Sequence, residues 1–373
     1  VGLQYSKVSN INGKITVTEA FTEMLVPLVA DAPMMEQLTL HGAARWADYS
    51  GSGSIWAWKG GLDWQGTGDF RLRGTYSRDV RAANLSERFD KTGGSATITD
   101  PRYPGDGVIN VTRFSGGNPE VSPEKADTIT VGFVYQPSYI DGFSIAMDWY
   151  QVKIDDAIGQ LGVQAVADRC EEGAVDLCEL VSRDTVTDRI VLIGDVFINV
   201  DQAKISGIDL ETSYQRDVSL FGGDESIGWR FFGTWLDENS ETLAGTNKID
   251  RAGQVGLQQS DGIAYTLPEF KFTTNLTYEY GPFRTFLQGR YIGGGTIENS
   301  LTEGVDIGSN HVDSAFYLDL GLSYFHELDE GSGIELYGNM TNVLDQDPPI
   351  TPYYSAFFGY TQQANPSLHD VLG

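Results

Sequence analysis

Apolar and polar side chains alternate along most of this chain with a period of two, in short runs separated by turn residues. Ile129, Val131, Phe133 and Tyr135 fall on one side of such a run, with Thr128, Thr130, Gly132 and Val134 on the other. After the turn PSYIDG, Phe143, Ile145, Met147 and Trp149 alternate with Ser144, Ala146, Asp148 and Tyr150. Period-two alternation across a tight turn predicts an antiparallel hairpin. Pro119 and Pro123 mark the loop that leads into it, because proline fixes φ and lacks an amide donor. The pattern returns with Leu38 to Trp46, Trp56 to Trp64, Phe70 to Tyr76, Ile227 to Trp235, Phe270 to Tyr280, Phe316 to Tyr324 and Ile334 to Met340. Near the start, GLQYSK and KITVTEAFTEMLVPLV are read as one more pair, with Glu19 and Glu23 leaving its facing open. About thirteen strands are expected in all.

Composition narrows the class. Among 373 residues there are 18 Tyr, 18 Phe, 7 Trp and 44 Gly, against 5 Met and 2 Cys, a balance that favours β-structure. The formal net charge of -27 argues against a nucleic-acid partner, since phosphates would be repelled. VGLQYSKVSN has neither the basic nor the apolar segment of a signal peptide. No run of roughly 18 apolar residues is present, so no transmembrane helix is expected. The strands of a membrane barrel escape that test, because they alternate.

Two further regularities favour a transmembrane antiparallel β-barrel. Aromatic residues crowd the ends of the apolar stripes, as Trp56 and Trp64 or Phe270 and Tyr280 do, in the manner of interfacial girdles. Connections also alternate in length. WQGTGD, PSYIDG, EYGP and ELDEGSG are short, and long loops are expected at about 80–122, 155–200, 237–268, 293–312 and 346–373. A passive porin and a secreted, soluble β-rich glycan-binding protein are the rival readings.

YSRDVRAANLSERF (Tyr76 to Phe89) resembles a strand-end segment of TonB-dependent outer-membrane receptors, with Ala83 in place of the usual proline and Arg88 where an apolar residue is common. NPEVSPEKADTITVGFVYQP, AKISGIDLETSY and NMTNVLDQDPP are similar to three more stretches of that family, in the same order. The resemblance implies a barrel of about 22 strands around a plugged lumen. Plug domain, TonB-contacting box and last strand are absent from the sequence as given, so it is expected to be the C-terminal portion of a longer chain. The resemblance further implies the outer membrane of a Gram-negative cell, with lipid and lipopolysaccharide around the barrel. It implies energy coupling through TonB–ExbB–ExbD, long loops outside, short turns in the periplasm, and no enzymatic activity. The expected cargo is a scarce nutrient, an oligosaccharide ahead of a ferric siderophore.

Candidate residues follow from that frame. Cys170 and Cys178, in a surface loop of an exported protein, are expected to form a disulfide. Tyr353, Tyr354, Phe357, Phe358 and Tyr360 either contact substrate or pack among loops and at the outer lipid boundary. The loop after Ser77 carries Arg78, Arg81, Asn84, Arg88, Arg102, Tyr103 and Arg113. These either grip an anionic group or pair with loop carboxylates or lipopolysaccharide phosphates. Lys59, Asp63, Arg71, Arg73, Arg230, Lys271, Arg284, Arg290 and Glu335 are expected to face the lumen and the plug. No cofactor or resident metal is expected. The four histidines are scattered, Gly293-Gly294-Gly295 lacks the Lys-Ser/Thr of a phosphate loop, and the acidic pairs lack calcium-loop spacing.

Overall fold

The computed structural model describes residues 13–242, 248–256, 267–299, 301–305, 307–329, 331–355 and 359–364. A 13-stranded sheet holds them together. Twelve of its strands form an antiparallel meander in which each pairs with the next: β1 (Val17–Ala32), β2 (Met35–Tyr49), β3 (Gly53–Thr67), β4 (Phe70–Arg81), β5 (Glu124–Tyr135) and β6 (Phe143–Gly159). The meander continues through β7 (Ile198–Val218), β8 (Glu225–Thr242), β9 (Phe270–Tyr280), β10 (Phe283–Ile292), β11 (Ala315–Asp329) and β12 (Ser332–Met340). The two-residue strand Ile249–Asp250 pairs beside β8. Among the described residues β1 and β12 do not pair with each other, so this is part of a barrel wall and not a closed ring.

Register makes two faces out of the alternation. Phe70, Leu72, Gly74 and Tyr76 of β4 lie opposite Tyr135, Phe133, Val131 and Ile129 of β5, and these in turn face Ile145, Met147, Trp149 and Gln151 of β6. A one-residue slip would put every one of these side chains on the other face, so the stripe itself specifies the register. The same apolar face continues around the wall through rings in contact. Phe231 stacks on Phe272 at 5.2 Å and Phe272 on Tyr291 at 5.2 Å, while Phe70 stacks on Phe133 at 6.1 Å. Such pairs contribute about 0.5–1.5 kcal/mol each beyond the area they bury. The band ends at a cross-strand row of charge, Arg78, Asp127 and Lys153, beyond which lipid would no longer be met.

The other face is polar, and its arginines meet carboxylates within the wall. Arg71 binds Asp63, and Arg73 donates to Asp148 from Nη2 at 2.6 Å and from Nε at 2.9 Å. Arg290 meets Asp319 at 3.0 Å, Arg284 meets Glu279 at 3.4 Å, and Arg230 lies 3.8 Å from Glu211. Lys271 stands between Thr234 and Ile292, and Glu335 stands opposite Phe325. Lys59 shares a row with Glu23 across Ala43, which settles the facing of Glu19 and Glu23: they lie on the charged face, with Glu19 bound to Arg45.

Connections alternate in length as expected. Residues 33–34, 68–69, 136–142, 219–224, 281–282 and 330–331 join strands at one end of the wall. Residues 82–123, 160–197, 243–269 and 293–314 join them at the other, where only the 50–52 turn is short. β1 pairs with β2, Glu23 opposite Ala43, and the expected pairing with GLQYSK falls outside the described residues. One expectation is corrected. Arg78 and Arg81 belong to β4 and not to a loop, because ladder pairing persists to Arg81 opposite Glu124. Likewise β6 runs on to Gly159 and β8 to Thr242, so these two loops begin later than the expected 155 and 237.

Candidate functional site

The long-connection end of the wall carries a folded cap built from two loops. Lys91–Thr99 and Val108–Gly116 come from residues 82–123, and Val181–Arg183 and Ile190–Val196 come from residues 160–197. They form a single four-stranded sheet, in which Ile190–Val196 runs parallel to Val108–Gly116. Side chains alternate here as well. Ile98, Val111, Ile190 and Ile193 are buried beneath the helix Val163–Glu171 and the short helix Val175–Cys178, together with Val166, Ala167 and Leu177. Cys170 and Cys178 are bonded to each other, their Cα atoms 4.7 Å apart, and so tie the two helices. Removing the bridge (Cys170→Ser with Cys178→Ser) is expected to cost the cap about 2–3 kcal/mol, in keeping with so short a ring. Hydrogen exchange should quicken in residues 163–178, while the wall keeps its heat-modifiable mobility on gels.

Ion pairs between the loops close the cap. Asp100 is fully buried and receives both guanidinium arms of Arg183, at 2.9 and 3.1 Å, and the Ile190 amide at 3.2 Å. Arg102 reaches Glu171 at 3.0 Å and Asp188 at 2.8 Å, and Tyr103 donates to Asp188 at 3.0 Å. Arg189 binds Asp106 and lies 4.3 Å above the Tyr103 ring. Arg113 meets Asp195 at 2.9 Å. Burial pushes the Asp100 carboxyl up, but hydrogen bonds from Arg183 and from the Ile190 and Arg102 amides outweigh it and hold the group below its ordinary range. The Arg102 hydrogen bond lowers Asp188, and the Asp188 carboxylate raises Tyr103.

A depressed carboxyl stabilises the folded state above its unfolded pKa and ceases to do so as pH falls through the folded value. The cap is therefore expected to keep full protection between pH 5 and 8 and to loosen below about pH 4, where unfolded carboxyls titrate. Exchange in residues 100–113, corrected for the intrinsic rate, checks this. Unchanged protection at pH 3 would count against it.

The base of the cap is bound to the strand ends. Arg81 donates to Glu124 at 2.6 Å and to Glu87 at 2.9 Å, and Glu124 also accepts the Ile158 amide at 2.7 Å. Glu87 is the third residue of the helix Leu85–Phe89, which Asn84 caps reciprocally: Glu87 N donates to Asn84 Oδ1 at 2.9 Å and Asn84 N to Glu87 at 2.7 Å. Arg88 is only 6% exposed and reaches Ser52 Oγ at 2.9 Å, the Gly51 carbonyl at 3.1 Å and the Pro119 carbonyl at 2.8 Å. Here an arginine stands where an apolar residue is common in the family, because the Gly51 and Pro119 carbonyls and the Ser52 hydroxyl converge on the position.

The structure thus gathers Arg81, Asn84 and Arg88 at the cap base and Arg102, Tyr103 and Arg113 in the cap, each against this chain's own groups. Arg78 stands apart on the apolar-parity face, bound by Asp127 at 2.6 and 2.7 Å. Residues Ile350–Ser355 and Gly359–Ala364 form a two-stranded hairpin that includes Tyr353, Tyr354 and Tyr360 in its backbone pairing. Phe357 and Phe358 lie outside the described residues. Sequence reasoning missed a second loop cluster. Val255, Ile297 and Val312 pack together beside Asn310, whose side chain accepts the Ile297 and Glu298 amides at 3.1 and 3.0 Å. At the short-turn end, an open cavity of about 830 Å³ is lined by Gln136, Ser144, Gln215, Arg230, Asn275 and Phe286, among others. No group of metal-ligating side chains occurs among the described residues, and no helix is long and apolar enough to cross a membrane.

A membrane-type antiparallel wall with long loops at one end and short turns at the other is the architecture of a transmembrane β-barrel. The chain belongs to the TonB-dependent receptor family: the family model "TonB dependent receptor-like, beta-barrel" matches residues 3–343. Among solved structures, it is similar to a ferric enterobactin receptor (PfeA) mutant from Pseudomonas aeruginosa, at 14% identity and TM-score 0.61, over 95% of this chain and 43% of that one. A siderophore receptor (PirA) from Acinetobacter baumannii matches at 14% identity and TM-score 0.57, over 89% of this chain and 42% of that one. The FrpB iron transporter from Neisseria meningitidis matches at 13% identity and TM-score 0.51, over 96% and 45%. The chain therefore spans less than half the length of these receptors. No curated protein matches it.

Proposed function

We propose that this chain is the barrel portion of an outer-membrane receptor that takes up a scarce nutrient by TonB-coupled active transport. The observation that carries the reading is the receptor-barrel match across residues 3–343 of a wall with the register and loop alternation such a barrel needs. In this reading the charged face lines the lumen, where Lys59, Asp63, Arg71, Arg73, Arg230, Lys271, Arg284, Arg290 and Glu335 meet a plug. TonB–ExbB–ExbD supplies the energy that moves that plug, and the cell is Gram-negative. The test is the encoding gene, which should begin with a plug domain and a TonB-contacting box, and uptake, which should stop when the proton-motive force is dissipated. Uptake that persists without energy would mark a passive porin instead.

The cargo we favour is a neutral oligosaccharide. The cations of the mouth, Arg81, Arg102, Arg113, Arg183 and Arg189, already hold carboxylates of this chain, and the sequence carries a net charge of -27. A strongly anionic ligand finds little to attract it there. The aromatic segment Tyr353, Tyr354, Phe357, Phe358 and Tyr360 is the proposed stacking surface, while Asn84 and Tyr103 are assigned to holding the loops and Arg78 to binding Asp127 between β4 and β5. The likeness to a siderophore receptor and a ferric enterobactin receptor favours a second reading, a ferric siderophore. Induction by iron starvation and by no polysaccharide would decide for it.

A further inference from the structure

The two longest described loops differ from what a ligand-closed lid requires. A lid needs a soft joint where it meets the scaffold, and its resting state sits at the low-stability end of the protein. Here residues 82–123 and 160–197 share one sheet, one core and a buried Asp100–Arg183 pair, so neither can move without the other. Their four connections to the wall are also bonded across one another. Phe197 donates its amide to the Gly116 carbonyl at 3.0 Å, and Asn118 donates its amide to Glu87 at 2.9 Å and its side chain to the Phe197 carbonyl at 3.0 Å. Asn199 accepts the Ser122 amide at 2.8 Å and donates to the Ser122 and Asp156 carbonyls at 2.9 and 2.7 Å. Glu124, held by Arg81, accepts the Ile158 amide at 2.7 Å.

We propose that these two loops form a fixed wall of the receptor mouth, one rigid body bound to the strand ends at Arg81 and Asn199. Any closure over a ligand then belongs to the other connections. This rests on the receptor reading only in calling the surface a mouth; the rigidity is a property of the fold itself. Asn199 is the positioning residue, since one side chain joins the residues leading into β5, the end of β6 and the start of β7.

Hydrogen exchange on the full-length receptor in lipid nanodiscs tests the proposal without any ligand, so its failure is separable from failure of the transport reading. Two sets of amides are compared: Val111 and Ile193 in the cap core, and Asn118, Ser122, Ile158 and Phe197 at the base. The expected result is slow exchange in both sets, within about tenfold of each other, as one cooperative unit. Fast exchange at the base with a slow core would mean a hinged lid and would overturn the proposal, as would unequal rates at Val111 and Ile193. Asn199→Ala should speed the base amides by about tenfold or more, leaving β9 to β11 unchanged. Asn199→Asp keeps an acceptor for Ser122 N but loses both donor bonds, so it should fall between. A base unaffected by Asn199→Ala would remove Asn199 from the assignment and, with it, the proposed fastening.

Discussion

Arg183→Ala is expected to release both cap loops together, at a cost of about 3 kcal/mol, because it strands a buried carboxylate. Asp100 is fully buried, and the arginine side chain that faces it is 14% exposed, so little water can replace the lost guanidinium. The Ile190 and Arg102 amides remain as partners for Asp100 at 3.2 and 3.1 Å and set a ceiling on the damage. Glu171, 3.6 Å from Arg183, loses a weaker contact at the same time. Exchange protection at Val111 and Ile193 should drop by roughly two orders of magnitude, the equivalent of that free energy. Asp100→Asn combined with Arg183→Met should recover part of the loss, since it removes the unpaired buried charge and keeps one side-chain oxygen for the Ile190 or Arg102 amide. A cap that keeps its protection in Arg183→Ala would show that the apolar core alone holds the loops.

Gly142→Ala should be the most damaging single-atom-scale change in the wall. Gly142 closes the turn 136–142 at φ 78°, where an alanine is strained by about 1–2 kcal/mol. A Cβ there would also overlap the Gln215 carbonyl oxygen of β7, while Gln215 N donates to the Gly142 carbonyl at 3.0 Å. The hairpin of β5 and β6 would have to shift against β7, so the total cost should exceed about 2 kcal/mol. Gly222 provides the control. It has φ 85° in the next turn with nothing within 4 Å of a built Cβ, so Gly222→Ala should cost the conformational part alone. The folded fraction of each variant, read from heat-modifiable gel mobility, should rank wild type, Gly222→Ala, Gly142→Ala. Equal behaviour of the two variants would mean that the close approach to Gln215 does not constrain the turn.

The wall was legible in the sequence because each strand carries its own instruction. A stripe such as Phe70, Leu72, Gly74 and Tyr76 needs an apolar medium on one face wherever it is placed, and PSYIDG needs a turn. Even so, Arg78 was misplaced into a loop. A charge at the end of an apolar stripe reads as the end of a strand, yet the ladder runs on to Arg81 opposite Glu124. The cap was not legible as a unit. VINVTRF and RIVLIGDV each alternate or run apolar as strands do, but their parallel pairing joins segments from different loops, and nothing local states it. Nor could the partners of the loop arginines be read. The excess of carboxylates made pairing plausible for all of them and specific for none.

What the sequence determined by itself was therefore everything with a short period: strand, turn, the face that needs lipid, the face that needs water and the family those segments resemble. What only the tertiary structure decided was everything that depends on closing a long loop. Asp100 with Arg183, Val111 with Ile193 and Asn199 with Ser122 lie about 80 residues apart in the chain and meet because β4 to β7 are neighbours in the sheet. Period-two alternation is a property of adjacent residues, so it survives in one dimension. Which loop meets which is set by strand order and by the entropy already spent in building the wall, and neither is written at any one position.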